Sequence, residues 1–278
     1  MPFMAISGTF HVTGYSPDGD SIRFRADNPV NWSRLAGPPP KLNGNSHAQL
    51  RLEAIDTLET HFRNSHQPLQ LADAAMERLL TLLGITNVVW NPAHTLVSSA
   101  DDATHGYIIS REVEKNRRPV AFAYAGSNPH GDGSTVHLDE HLLMPSANYS
   151  LVAEGLAYPT FYQGLFSDLR TAMAAATVTA RGQSRGVWAS DVTVSGFDVS
   201  NPADLSTTIV IVPKLFRRLA EYFETGGSVA GFKAFLQAGD EGVTILPQGH
   251  FTHFDNVVDV VGDIIRMTVQ PENLVFAG

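Results

Sequence analysis

The spacing of hydrophobic residues changes near residue 60, and this change is the strongest constraint on the fold. Over residues 8–26 apolar and polar side chains alternate around the turn sequence SPDGDS, which predicts a β-hairpin. Residues 68–83 instead place apolar side chains three and four positions apart before Gly84, which predicts an amphipathic helix. Further helices are predicted at 146–157, 165–181, 232–237 and from Pro213, and strands at ITNVVW, GYIIS, PVAFAYA and TTIVIV. The chain therefore mixes strands with helices.

The composition is typical of a packed globular protein, with 278 residues of which 43 % are hydrophobic and 17 % charged. We expect no membrane-spanning helix, because no run of about 18 apolar residues occurs. The opening MPFMAISGTFHV has no basic start followed by a long apolar stretch, so we expect no secretory signal and a cytoplasmic location. The absence of cysteine excludes disulfides and thiol catalysis.

The formal net charge of −9 argues against a protein that coats nucleic acid without specificity. Such binding depends on many contacts from Lys and Arg to phosphate. The charge does not argue against an enzyme that attacks a phosphodiester with the help of a cation, because hard metal ions require acidic clusters.

The segment LRLEAIDTLET carries unusual chemistry for a short strand. It begins with alternating apolar residues, which predicts a half-buried strand, and it ends with Asp56 and Glu59 only three residues apart. Arg51 lies within the strand, where a cation is costly unless an anion meets it. It is either an arginine on the solvated outer face, with or without a carboxylate partner, or one directed at a phosphate, which its planar fork fits well.

Two further groups of charged residues occur at predicted strand ends. Asp18 and Asp20 lie at the hairpin turn, where they are either turn formers or, if strands pair nearby, neighbours of Asp56. Carboxylates brought together need a cation between them, and oxygen ligands favour Ca²⁺ or Mg²⁺. Arg117 and Arg118 precede the strand PVAFAYA.

These groups occur in one pattern. In chain order it comprises DGDS, RLEAIDTLE, RRPVAFAY, LVAEGLAYP and an alanine-rich helix followed by GVW. On these five blocks, over about residues 8–191, the sequence resembles the staphylococcal nuclease (thermonuclease-like) family. The resemblance implies an α+β, mostly β fold: a five-stranded OB-type barrel with packed helices.

The resemblance also implies a metal site. Asp20 and Asp56 would supply carboxylate ligands to Ca²⁺, with the backbone carbonyl of Thr57 as a third protein ligand. Other hard divalent ions such as Mg²⁺ are alternatives, because they prefer the same oxygen ligands.

The catalytic roles follow from the same resemblance. Glu59 would act as the general base on the attacking water, while Arg51 and Arg118 would hold the phosphate and offset its developing charge. Arg117 is a weaker alternative to Arg118. The family usually has proline before the glutamate, whereas this chain has Leu58, which predicts a looser turn around Glu59.

We predict two domains, a nuclease-like OB-fold domain at 5–191 and a small α+β extension at 196–278, separated by the turn-rich sequence VTVSGFDVSNPADLS. In the extension, Leu215, Leu219 and Phe223 form one apolar stripe. We therefore expect the extension to pack on the barrel or on a second copy of itself. We interpret Arg217 and Arg218 as a solvated face, with contact to a nucleic-acid backbone as the alternative.

The sequence thus predicts a Ca²⁺-dependent nuclease that hydrolyses phosphodiester bonds of DNA, RNA or both with little sequence preference. The alternative is a catalytically silent OB-type module that binds nucleic acid or protein. His137 and His141, four residues apart in an acidic loop, are either ordinary surface histidines or ligands of a transition metal.

Overall fold

A computed structural model describes residues 2–277 of the chain. The chain forms two compact units, and each is built from two segments. Unit 1 comprises the chain up to Glu53 together with Met76–Leu151, and unit 2 comprises Ala54–Ala75 together with the chain from Val152 onward. The compact units therefore do not divide near residue 191, and the domain ranges 5–191 and 196–278 stay predictions.

The elements are given in chain order. The strands are β1 (Phe3–His11), β2 (Arg23–Ala26), β3 (Ala48–Gln49), β4 (Arg51–Leu52), β5 (Ile55–Asp56), β6 (Thr86–Trp90), β7 (Val97–Asp101), β8 (Thr104–Val113), β9 (Pro119–Ala125), β10 (Thr135–Val136), β11 (Tyr158–Pro159), β12 (Phe161–Tyr162), β13 (Phe197–Asp198), β14 (Gly242–Ile245), β15 (His250–His253), β16 (Val258–Val261), β17 (Ile264–Met267) and β18 (Leu274–Phe276). The helices are α1 (Leu69–Leu82), α2 (Glu140–Leu143), α3 (Ala147–Ala153), α4 (Ser167–Gly182), α5 (Pro213–Glu224) and α6 (Phe232–Gly239).

Unit 1 is built on a barrel-like sheet with the strand order β3-β2-β1-β8-β9-β4, and β10 also pairs with β1. The two end strands of this path, β3 and β4, are separated in sequence only by Leu50, so the sheet nearly closes on itself. The predicted hairpin is confirmed, because β1 pairs antiparallel with β2 and Phe10 lies opposite Phe24. The rings of Phe10 and Phe24 are fully buried with their centroids 5.0 Å apart. The prediction of a mixed α+β fold is thus confirmed.

The predicted strand through LRLEAID is wrong as a single element. The structure divides it into β4 and β5, with Ala54 between them in the left-handed region at φ 68°. This conformation costs a residue with a Cβ about 1–2 kcal/mol. Glu53 stays in the sheet of unit 1, where its amide donates to the Ala121 carbonyl at 2.9 Å, whereas Ala54 belongs to unit 2. The turn therefore separates Arg51 from Asp56 by unit as well as by strand.

The core of unit 2 combines residues from both predicted domains. Leu58 and Tyr158, from the predicted nuclease domain, are fully buried in the same hydrophobic cluster as Leu215, Phe216 and Leu219 of α5. The predicted apolar stripe of α5 is therefore confirmed, and its burial is typical of an amphipathic helix. Small sheets flank this core, in the orders β11-β5, β12-β18-β14-β15 and β13-β17-β16.

The helix predictions are confirmed more often than the strand predictions. The segment predicted at 68–83 forms α1, and Ser146 caps α3 because its Oγ accepts from the Tyr149 amide at 3.1 Å. The strand predicted at TTIVIV is wrong, since the structure has only an isolated bridge between Asp191 and Val210. Two residues further on, the amide of Val212 donates to the Thr193 side chain, and a proline follows Val212.

Candidate functional site

Three of the predicted site residues lie in unit 1. The amide of Leu52 in β4 donates to the carbonyl of Asp20 at 2.8 Å, which places Asp20 beside the strand that carries Arg51. Strand β4 runs parallel to β9 with Arg51 opposite Val120, and Arg118 immediately precedes β9. The pairing of β4 with β9 therefore brings the two arginines to the same edge of the sheet.

The carboxylate of Glu114 interacts with the charges of both arginines. Its Oε1 accepts from Arg118 Nε at 2.9 Å, and its Oε2 accepts from Asn116 at 3.1 Å. Burial opposes ionisation of Glu114, but the hydrogen bond from Arg118 and the charges of Arg118 and Arg51 lower its pKa below the ordinary value. One carboxylate therefore offsets part of the charge of both arginines.

Arg117 has a different setting from Arg118. Its backbone is left-handed at φ 65°, and its Nε donates to the carbonyl of Pro39 at 3.0 Å. Its own carbonyl accepts from the amide of Lys41 at 2.9 Å. Arg117 thus holds the proline-rich loop in place, while Arg118 faces the carboxylate of Glu114.

The other predicted residues, Asp56, Thr57 and Glu59, lie in unit 2. Asp56 ends β5 opposite Tyr158 of β11. The backbone of Glu59 is held on both sides by Gln67, whose amide donates to the Glu59 carbonyl at 2.9 Å and whose Oε1 accepts from the Glu59 amide at 3.2 Å.

The turn around Glu59 is packed and hydrogen-bonded, while its predicted looseness stays a prediction. Leu58 is fully buried in the core of unit 2, where it anchors the position at which the family usually has proline. Gln67 is itself buried and donates to the carbonyl of Ile211 at 2.8 Å. A buried side chain and a bridging amide thus fix the backbone that carries Glu59.

Arg217 of α5 joins the two carboxylates, and the sequence interpretation missed this contact. Its Nη1 and Nη2 donate to Oδ1 and Oδ2 of Asp56 at 2.9 and 2.7 Å, and Nη1 also donates to Oε1 of Glu59 at 2.5 Å. The side chains of Asp56, Glu59 and Arg217 are 3 %, 14 % and 21 % exposed. Parallel hydrogen bonds between a guanidinium and a carboxylate are among the strongest polar contacts in proteins.

The electrostatics of this cluster keep Arg217 charged. Burial alone would lower the pKa of Arg217, but the carboxylates of Asp56 and Glu59 raise it well above the ordinary value. Arg218, for which the sequence also predicts a solvated position, pairs with Glu221 at 2.8 Å and with Glu241 at 3.1 Å. Both arginines of α5 are therefore bound to carboxylates of unit 2.

Asp56 does not offer a free carboxylate to a metal ion in this arrangement, because both of its oxygens accept from Arg217. Within residues 2–277 no three His, Asp or Glu side chains form a group that could hold a metal. The side-chain hydroxyl of Thr57 is buried without a hydrogen-bond partner in the described part of the chain. The carboxylate of Asp56 is thus bound to a guanidinium in this structure.

The histidine alternative finds no support in the local geometry. His137 lies outside α2, which begins at Glu140, and both His137 and His141 are exposed. The two side chains therefore do not share a helical face, contrary to the pattern that suggested a transition-metal site.

Searches against protein-family models and against curated protein sequences find no match to this chain. The resemblance to the nuclease family therefore rests on the five sequence blocks alone. Among the described residues, no helix has the length and apolar character needed to cross a membrane.

Proposed function

We propose that this protein hydrolyses phosphodiester bonds of DNA or RNA and that its barrel-like sheet is of the OB type. The observation that carries the proposal is the convergence of Arg51 and Arg118 at the β4–β9 edge, where both charges act on Glu114. A pair of arginines at one edge suits the binding of a phosphodiester, because each guanidinium can donate to phosphoryl oxygens.

In the proposed reaction, Arg51 and Arg118 offset the charge that develops on the phosphoryl oxygens. Glu59 accepts a proton from the attacking water, and its Oε1 can do so only after the hydrogen bond from Arg217 to that atom opens. The calcium dependence implied by the resemblance belongs to the same proposal, and it requires Arg217 to leave Asp56 as well. Cleavage therefore depends on displacement of one side chain.

The contact of Arg217 with Asp56 and Glu59 favours a second candidate function. If Arg217 does not move, the carboxylates serve a structural role, and the protein is a catalytically silent module that binds nucleic acid or protein. Both functions use the same arginines of unit 1 for phosphate binding. They differ in whether a bound nucleic acid is cut.

One assay separates the two functions. The full chain is incubated with plasmid DNA and with RNA, in Ca²⁺ or in chelator, while binding is followed in parallel by gel retardation. The proposal expects cleavage in Ca²⁺ and none in chelator. Binding without cleavage under either condition would identify the silent module, and the absence of both would contradict the nuclease and a module that binds nucleic acid.

A further inference from the structure

Unit 1 contains a pocket of about 290 Å³ beside the loop that precedes β3 and the loop that joins β8 to β9. Four cationic side chains line it, namely Arg23, Lys41, Arg117 and Arg118, and no acidic side chain of the described residues does. The whole chain has 28 acidic against 19 basic residues. The pocket is therefore a local concentration of positive charge on an acidic protein.

Most of this charge is not neutralised by the protein. In the described part of the chain Arg118 pairs with Glu114, whereas Arg23, Lys41 and Arg117 form no salt bridge. Among the described residues the Nε atom of Arg23 is buried without a hydrogen-bond partner, and the guanidinium of Arg23 lies 5.0 Å from the centre of the Tyr15 ring. Cations held together in this way repel one another, and a bound anion would offset that repulsion.

The walls of the pocket are fixed before any ligand binds. Arg117 is tied to the preceding loop by its bonds to Pro39 and to the amide of Lys41. The side chain of Asn43 accepts from the amide of His47 at 3.0 Å and closes the turn that follows. A preformed site loses less conformational entropy on binding than a flexible one.

We propose that this pocket binds a phosphate group. Guanidinium and ammonium donors are the side chains that recognise phosphate, and the volume is close to the lower end of ligand pockets at about 300 Å³. The pocket shares Arg118 with the proposed phosphodiester site, so this inference rests in part on the proposed function, but it does not use Asp56 or Glu59 and does not depend on cleavage. Residues 41–43 belong to the long loop outside the five blocks that resemble the nuclease family.

The phosphate has two sources, a small phosphorylated compound or the backbone of a nucleic acid. Calorimetric titration of the full chain in chelator, with inorganic phosphate and with a single-stranded oligonucleotide with or without a 5′-phosphate, distinguishes them. Saturation by inorganic phosphate identifies the first source, and binding of the oligonucleotides alone identifies the second. Because the chelator removes the Ca²⁺ on which the proposed cleavage depends, the titration measures binding alone.

The variants are Lys41→Gln and the double variant Arg23→Gln/Lys41→Gln, with Arg25→Gln as the control. Arg25 lies in the same strand as Arg23 but is exposed and outside the pocket. We expect the double variant to bind at least about tenfold more weakly than the unmodified chain to whichever of these probes saturates the unmodified chain. The reason is that the variant lacks two charged hydrogen-bond donors. Arg25→Gln should bind like the unmodified protein.

Two results would overturn the proposal. One is that neither inorganic phosphate nor either oligonucleotide binds the unmodified protein. The other is that Lys41→Gln, an exposed substitution that should leave the fold intact, binds as tightly as the unmodified chain. Circular dichroism shows whether the double variant is folded. If the double variant is unfolded, the affinity of Lys41→Gln alone decides whether the pocket binds phosphate.

Discussion

The guanidinium of Arg217 forms two parallel hydrogen bonds with the carboxylate of Asp56, at 2.9 and 2.7 Å, from a helix 161 residues further along the chain. The same guanidinium binds Glu59. The sequence resemblance assigns these two carboxylates to metal binding and to general-base catalysis. In the proposed reaction, Arg217 therefore has to leave Asp56 before that carboxylate can bind a metal ion.

Replacing Arg217 should destabilise the protein strongly. Arg217→Met removes the bidentate cation from the buried carboxylate of Asp56, and breaking such a pair costs about 3–5 kcal/mol. The matched control is Arg63→Met, because Arg63 is 52 % exposed and pairs with Glu221 and Glu224 at the surface. Exposed pairs contribute about 0–1 kcal/mol. Urea denaturation measures the free energy of unfolding of both variants. An equal loss of that free energy in the two would show that the Arg217 contact is not a strong buried pair.

Calcium affinity should rise when Arg217 is shortened. In Arg217→Gln the oxygens of Asp56 lose their bidentate partner, so they become available to a hard cation. Calorimetric titration of folded protein with Ca²⁺ should show tighter binding by this variant than by the unmodified chain. If neither form binds Ca²⁺, the metal role of Asp56 is wrong.

The stability of unit 1 should decrease in acid through His47. The ring of His47 stacks on His11 with centroids 3.9 Å apart, and its Nδ1 is 3.1 Å from the hydroxyl oxygen of Tyr15. Burial, with the charges of His11, Arg25 and Arg23, lowers the pKa of His47 from 6.5 to about 4, against an opposing effect of Asp102.

Because the folded-state pKa is the lower one, the unfolded chain binds the proton first as the pH falls. The stabilisation from neutral His47 is complete above pH 6.5 and is lost progressively towards pH 4. Urea midpoints across this window should fall less steeply for His47→Phe, which keeps a stacking ring without a titrating group. Identical slopes for the two proteins would rule out His47 as the cause.

The sequence predicted the elements whose signals are local. The helix at 68–83 was readable from its apolar spacing and became α1, and the hairpin was readable from alternation around a turn. The segment TTIVIV ends in a continuous apolar run, which is typical of a buried strand. The amide of its last residue, Val212, however donates to the Thr193 side chain and not to a neighbouring strand. That competition depends on a residue that no local pattern identifies.

The candidate site was predictable only in part. The resemblance grouped Arg51 with Arg118, but the pairing of β4 with β9 that brings them to the same edge is visible only in the structure. The role of Arg217 did not follow, because a helix pattern distinguishes the buried stripe from its flanks but does not identify the partner of a flanking cation. The break at Ala54 was also hidden, since alanine rarely adopts a left-handed backbone.

The most direct test of the proposed function compares cleavage of plasmid DNA and RNA in Ca²⁺ by the unmodified chain, Glu59→Gln and the control Glu77→Gln. Glu77 is an exposed residue of α1 and has no role in the proposal. We predict cleavage by the unmodified chain and by Glu77→Gln, and a rate about 10²–10⁴-fold lower for Glu59→Gln, the usual contribution of a general base. Equal rates for all three proteins, or no cleavage by any of them, would contradict the account.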